Sequence, residues 1–154
     1  MLLLLPTAED LRRAADLIAA GGVVIFPTET FYGLAADPRQ PAAVDRVIAL
    51  KGRPDGAPIL LILPDLAFVD AVAGPVPEAA RRLMAHFWPG PLTLVLPARP
   101  GLAAQVPGPR GVGVRVSSHP VAAALARACG HAITATSANR SGTPPGPDPE
   151  AAAA

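Results

Sequence analysis

Five short runs constrain this chain most: Val23–Phe26, Ile59–Leu63, Leu92–Leu96, Gly111–Val116 and Ala132–Ala135. Each is apolar or built of small residues and is too short for a core helix, so each reads as a strand. Val23–Phe26 reads as buried on both faces, as in a parallel or mixed sheet, and Pro27 closes it. Between the runs, apolar residues recur at helical spacing: Leu11, Ala14, Ala15 and Ile18, then Val44, Val47, Ile48 and Lys51, then Ala80, Leu83, Met84 and Phe87.

Punctuation fits this alternation. Thr7 with Asp10 reads as a capping-box variant, and Gly21-Gly22 ends the first helix. Pro41, Pro77 and Pro120 open helices, Gly52 ends the second, and Leu66–Val72 reads as a short one. Residues 28–37 read as a polar loop containing Gly33, and residues 98–110 as a Pro/Gly-rich loop. Met1–Leu5 is too short for a leader, lacks basic residues and stops at Pro6, so it reads as a first strand. Asp55-Gly56 is a turn signal. The expected class is α/β, with α+β also open: a single-domain twisted mixed sheet flanked by helices. Residues 1–143 are expected to form that domain. Residues 144–154, all Pro, Gly, Ala or acid, are expected to form a flexible tail.

Bulk properties exclude several classes. The chain has 154 residues, suited to one domain, and 51% are apolar, enough for a core. Charged residues make up 16% and the net charge is +1, which does not point to a strongly basic nucleic-acid binder or an acidic tail and leaves a local basic cluster open. No run approaches the ~18–20 apolar residues of a membrane span. The single cysteine, Cys129, forms no internal disulfide and reads as a small buried hydrophobe, with a reactive thiol as the other reading. This composition suits a reducing compartment. His86, His119 and His131 share no metal-ligand spacing, and no Walker A, Gly-x-Gly-x-x-Gly or serine-elbow motif occurs.

Four segments carry polar chemistry in this apolar background. Thr28-Glu29-Thr30-Phe31-Tyr32-Gly33 follows a strand, the end of an α/β sheet where ligands bind; the alternative is a capped turn with Glu29 solvated and Tyr32 packed. Lys51-Gly52-Arg53 sits at a helix end. Lys51 is the only lysine, and the pair could grip phosphate as a point charge and a fork, or merely answer the helix dipole. On the phosphate reading, Lys51 bears on turnover and little on folding. Arg115 lies inside an apolar strand and needs an anion, either a substrate carboxylate or an acid such as Glu29. Ser137-Ala138-Asn139 closes the last strand and could bind phosphate or ribose oxygens, or serve as a plain capped turn.

Together these segments resemble the YrdC-like family of threonylcarbamoyl-AMP synthases. The resemblance rests on Pro-Thr-Glu-Thr-Phe-Tyr-Gly-Leu at 27–34, Lys-Gly-Arg-Pro at 51–54, Phe-Trp-Pro-Gly-Pro-Leu-Thr-Leu-Val-Leu at 87–96, the Arg115 strand, and Ser-Ala-Asn-x-Ser-Gly at 137–142. It covers most of residues 15–145, in the family's order, and is to a short, C-terminally abbreviated member. It implies a YrdC-like fold and a cytoplasmic nucleotidyltransferase that makes threonylcarbamoyl-AMP and pyrophosphate from L-threonine, bicarbonate and ATP. Mg²⁺ is expected on the phosphates. The product would feed N6-threonylcarbamoyladenosine at position 37 of tRNA, with tRNA-modification partner proteins, possible tRNA or RNA contact, and no membrane. On this resemblance Thr30, Tyr32, Arg115 and Ala135 would bind threonine. Lys51 and Arg53 would be the catalytic cations on the ATP phosphates, and Ser137 and Asn139 would complete the ATP site. The alternative is a nucleotide- or RNA-binding module of the same fold without turnover.

Overall fold

The computed structural model describes residues 7–52, 58–139 and 141–142. The expected first strand at Met1–Leu5, Arg53, the Asp55-Gly56 turn and the 144–154 tail lie outside the described residues.

The order is α1 (Ala8–Ala19), β1 (Val24–Phe26), β2 (Gly33–Ala35), α2 (Pro41–Lys51), β3 (Leu61–Ile62), a 3-10 turn (Leu66–Phe68) running into α3 (Val69–Val72), α4 (Glu78–Phe87), β4 (Leu94–Leu96), β5 (Val112–Arg115), α5 (Pro120–Cys129), β6 (Ile133–Thr134) and β7 (Thr136–Ser137). The strands form an antiparallel set, β1-β2-β7, and a mixed set, β4-β5-β3-β6, whose parallel pair is β3 with β5. Thr134, 0% exposed, joins the two sets: its N–H donates to the Ala36 carbonyl, its hydroxyl accepts from the Ala36 N–H, and the same hydroxyl donates to the Leu34 carbonyl.

Capping chemistry sets the helix ends as the sequence predicts. The Thr7 hydroxyl accepts from the Asp10 N–H and donates to the Asp10 carboxylate, starting α1. Gly52 takes the left-handed conformation, with φ of 55°, and ends α2. The mixed sheet is buried on both faces along β3, β5 and β6, while Val95 of the edge strand β4 is exposed. Leu61, Leu63, Val112 and Val114 pack with Val44, Val72, Met84 and Trp88 on one side. Ile62 and Ile133 pack with Ile18, Phe26 and Leu125 on the other, beneath α1 and α5. By period two, Arg115 falls on the face opposite Val114.

Three expectations are corrected. Val23–Phe26 is an edge strand of a wholly antiparallel set, and Val24 and Ile25 are only half-buried. The expected loop at 28–37 contains β2, all of it buried. Gly33 pairs with Phe26 there, and a Cβ on it would come within 3.1 Å of the Phe26 ring, so this glycine sits in a strand, at a close approach to a side chain of this chain, and not in a loop. In α4 only Met84 is fully buried, with Ala80 packed beside it, while Leu83 and Phe87 are 41% and 49% exposed, so the core covers only part of the helical stripe.

Candidate functional site

The residues between β1 and β2 fold around the Thr28 hydroxyl. It donates to the Phe31 carbonyl at 2.6 Å, accepts from the Thr30 and Phe31 N–H groups, and lies 3.2 Å from the Thr30 hydroxyl. One small side chain thereby satisfies a whole turn and holds Thr30 in place.

Glu29, on that turn, is not solvated. Its side chain is 14% exposed and reaches to the end of β5, accepting from the Ser117 hydroxyl at 2.7 Å and the Ser118 N–H at 3.2 Å. Burial pushes its pKa up. The Ser117 hydrogen bond, the backbone donors and the Arg115 charge outweigh burial and hold it below the ordinary carboxylate value.

Arg115 is 12% exposed. Its Nε and Nη2 donate to the Thr93 hydroxyl at 3.2 and 3.1 Å, and Nη1 stands 3.8 Å from Glu29 Oε1, beyond hydrogen-bond range. A guanidinium has five N–H donors. Among the described residues only Thr93 accepts from this one, so the Nη1 edge keeps its donors for an incoming anion. Thr93 is held by its neighbours. Trp88 Nε1 donates to the Leu92 carbonyl and the Gly90 N–H donates to the Val116 carbonyl, pinning the Trp-Pro-Gly-Pro turn to the end of β5.

Lys51 ends α2 and is 5% exposed. Its ammonium faces the Ser137 carbonyl at 2.5 Å, the Asn139 carbonyl at 3.0 Å, and the Ser137 hydroxyl and Asn139 amide oxygen at 3.3 Å each. The Ser141 N–H donates back to the Lys51 carbonyl. The ammonium thus binds the Ser137-Ala138-Asn139 turn from within, a set of contacts that bears on the expectation that Lys51 matters little to folding. Tyr32 completes the circuit. Its carbonyl accepts from the Ala138 N–H, and the residue packs, half-buried, against the cluster of Leu34, Ala36, Ala43, Val47 and Ala138. The Ala135 N–H is taken by the Leu60 carbonyl.

Thr30, Tyr32, Arg115, Lys51, Ser137 and Asn139 thus belong to one connected network running from Lys51 through the last turn and the 28–32 turn to Arg115. Arg53 lies outside the described residues. Sequence reasoning missed Thr93 and Ser117. The available signal for Thr93 was a hydroxyl in the middle of an otherwise apolar strand run.

Two concavities lie elsewhere. One, of about 280 Å³, is rimmed by Arg39 and His131 over Phe68, Val72 and Leu102; the other, of about 520 Å³, lies at Val23, Arg46 and Leu50. The polar turns, and not these hollows, carry the clustered chemistry. Beside the first, Asp37 is buried and gripped by the Arg39 fork at 2.9 and 2.7 Å. Burial pushes its pKa up, but the Arg39 hydrogen bonds outweigh that and bring it down to about 2. Burial, with the Asp37 charge, pushes the Cys129 thiol up to about 11, which leaves little thiolate for chemistry. Among the described residues no group of three His, Cys, Asp or Glu side chains could hold a metal ion.

Polar turns from two joined strand sets thus gather the candidate site residues on an α/β scaffold. The chain belongs to the Sua5/YciO/YrdC family, whose model, described as Telomere recombination, matches residues 16–154. Among relatives, the threonylcarbamoyl-AMP synthase of Bacillus subtilis (strain 168) is 43% identical over 137 residues, 88% of this chain and 40% of that protein. The threonylcarbamoyl-AMP synthase of Alkalilimnicola ehrlichii is 46% identical over 138 residues, 88% of this chain and 70% of that protein. Among solved structures, P. abyssi Sua5 complexed with L-threonine superposes with a TM-score of 0.91 at 37% identity, covering 96% of this chain and 44% of that one. The chain therefore spans less than half of two of these relatives and about 70% of the third.

Proposed function

We propose that this chain is an L-threonylcarbamoyladenylate synthase, a nucleotidyltransferase that forms threonylcarbamoyl-AMP and pyrophosphate from L-threonine, bicarbonate and ATP. Family membership and the names of the relatives support the reading. One observation carries it on this chain's own residues: a nearly buried guanidinium at the end of β5 whose Nη1 edge has no hydrogen-bond acceptor among the described residues. An α-carboxylate is the group such an edge accepts.

In this reading Arg115 holds the threonine carboxylate, and Thr30 and Tyr32 line the same half of the site. Ala135 contributes through its backbone, with its N–H already engaged by Leu60. Ser137 and Asn139 receive the nucleotide. Lys51 and Arg53 face the phosphates, Lys51 acting as a charge behind the turn it organises, because its protons are already shared among four oxygens. Bicarbonate yields CO₂ by taking up a proton and losing water; the threonine amine adds to CO₂ and gives up a proton, and the resulting carbamate oxygen attacks the α-phosphorus as the bond to pyrophosphate breaks. Positioning and charge neutralisation serve such a transfer, and no covalent nucleophile is needed. Mg²⁺ would enter on the triphosphate, since it binds through phosphates, waters and one or two carboxylates. When bound, Mg²⁺ would neutralise phosphate charge.

The product would serve N6-threonylcarbamoyladenosine formation at tRNA position 37, with partner proteins and tRNA contact, in the cytoplasm. Among the described residues no helix is long and apolar enough to cross a membrane. Residues 1–143 would form the working domain.

The test is threonine-dependent pyrophosphate release by the folded chain with ATP, Mg²⁺ and radiolabelled bicarbonate. Label appearing in an acid-labile adenylate supports the reading. ATP or RNA binding without any turnover replaces it with the binding-module alternative.

A further inference from the structure

Glu29 has no role in the chemistry derived so far, yet it is the side chain that ties the two halves of the amino-acid subsite together. It leaves the 28–31 turn, which hangs from the antiparallel strands, and ends at residues that follow β5 of the mixed set. Both carboxylate oxygens are used: Oε2 accepts from the Ser117 hydroxyl and Oε1 from the Ser118 N–H. Ser117 is 1% exposed, and its oxygen also accepts from the His119 N–H, so Glu29 grips a fixed point rather than a mobile surface group.

The 3.8 Å gap between Glu29 Oε1 and Arg115 Nη1 matters as much as the contacts. A closer, bidentate pair would consume the donors that an anion needs. At this distance the carboxylate attracts the guanidinium and offsets part of its burial cost while leaving the Nη1 edge open. Thr93 fixes the opposite edge from below.

We propose that Glu29 is a positioning residue for the amino-acid half of the site: latched to Ser117 and Ser118, it holds the 28–31 turn against the end of β5 and aims the open edge of Arg115. This rests on the function proposed above. It requires that loss of the latch weaken the use of threonine and leave the use of ATP alone, because the Lys51 cluster does not depend on Glu29 for any of its contacts.

The test compares Glu29→Gln and Ser117→Ala with the wild type. Glutamine keeps the size but loses the charge and one acceptor; the serine variant removes the shortest contact of the latch together with the acceptor of the His119 N–H, so its thermal midpoint is read beside its KM values. Each is assayed for KM toward threonine and toward ATP, and for thermal midpoint. Wild-type turnover must first be present; its absence refutes the parent reading and not this one. With turnover present, a rise of about tenfold in the threonine KM for either folded variant, with the ATP KM unchanged, supports the latch. An unchanged threonine KM in both variants overturns it. Equal losses toward both substrates, or a fallen midpoint with unaltered KM values, make Glu29 merely structural and also overturn it. Should Glu29→Gln fail to fold, Ser117→Ala decides alone.

Discussion

Replacing Lys51 with methionine keeps an unbranched side chain and removes the ammonium. In the wild type that ammonium faces the Ser137 carbonyl at 2.5 Å and the Asn139 carbonyl at 3.0 Å, with two side-chain oxygens at 3.3 Å. A backbone carbonyl that loses its donor costs about 1–3 kcal/mol, depending on how well water replaces the donor. Ser137 and Asn139 are half-buried, so the low end applies, about 1 kcal/mol for each carbonyl. The sum is about 2 kcal/mol. For a chain of this size each kcal/mol moves the midpoint by about 2–4 °C, so the variant should melt about 4–8 °C lower. Thermal unfolding by far-UV circular dichroism, run beside a pyrophosphate-release assay, measures both consequences. Turnover should vanish along with that stability. A midpoint within about 1 °C of wild type refutes the reasoning, because the contacts would then contribute nothing to folding.

Other outcomes follow from the same geometry. Thr134→Val keeps shape but strips the buried hydroxyl from the Ala36 N–H and the Leu34 carbonyl, and should lower urea-measured stability by about 2–4 kcal/mol; a loss below about 0.5 kcal/mol would show that the strand sets do not depend on this hydroxyl. Asp37 has a folded pKa of about 2 against an ordinary 3.8, so its contribution is complete above the higher value and is lost as pH falls toward the lower one. The wild type should therefore lose stability more steeply than Asp37→Asn between those two values, and parallel acid-unfolding curves would contradict the pairing with Arg39. Arg115→Lys keeps the charge but not the planar fork, and should weaken threonine binding by about tenfold or more by calorimetry; unchanged affinity would remove Arg115 from the site. Gly111→Ala should abolish folded expression, since φ is 114° and a Cβ would lie 2.0 Å from the Leu96 carbonyl oxygen. Recovery of folded Gly111→Ala with an unaltered melting curve would contradict that placement.

Local signals were legible where the deciding contacts are local. The Thr7 cap, the end of α2 at Gly52 and the helix opened by Pro120 each depend on neighbours within one turn, and all stand as read. Gly33 was misread because its reason is not local: it is glycine on account of Phe26, its partner across the strands. Leu83 and Phe87 matched a helical stripe, yet a stripe shows which residues share a face and not how far that face is covered.

The candidate site divides in the same way. The sequence by itself determined that scarce polar groups sit at strand ends in an apolar chain, and it named Thr30, Lys51, Arg115, Ser137 and Asn139 as the ones to watch. Only the tertiary structure decided their states. Lys51 and Arg115 read alike as cations awaiting an anion, but one has its protons committed to four oxygens and the other keeps an edge open. The physical reason is that a charge's role is set by the acceptors folded around it, and for both residues those acceptors come from distant parts of the chain.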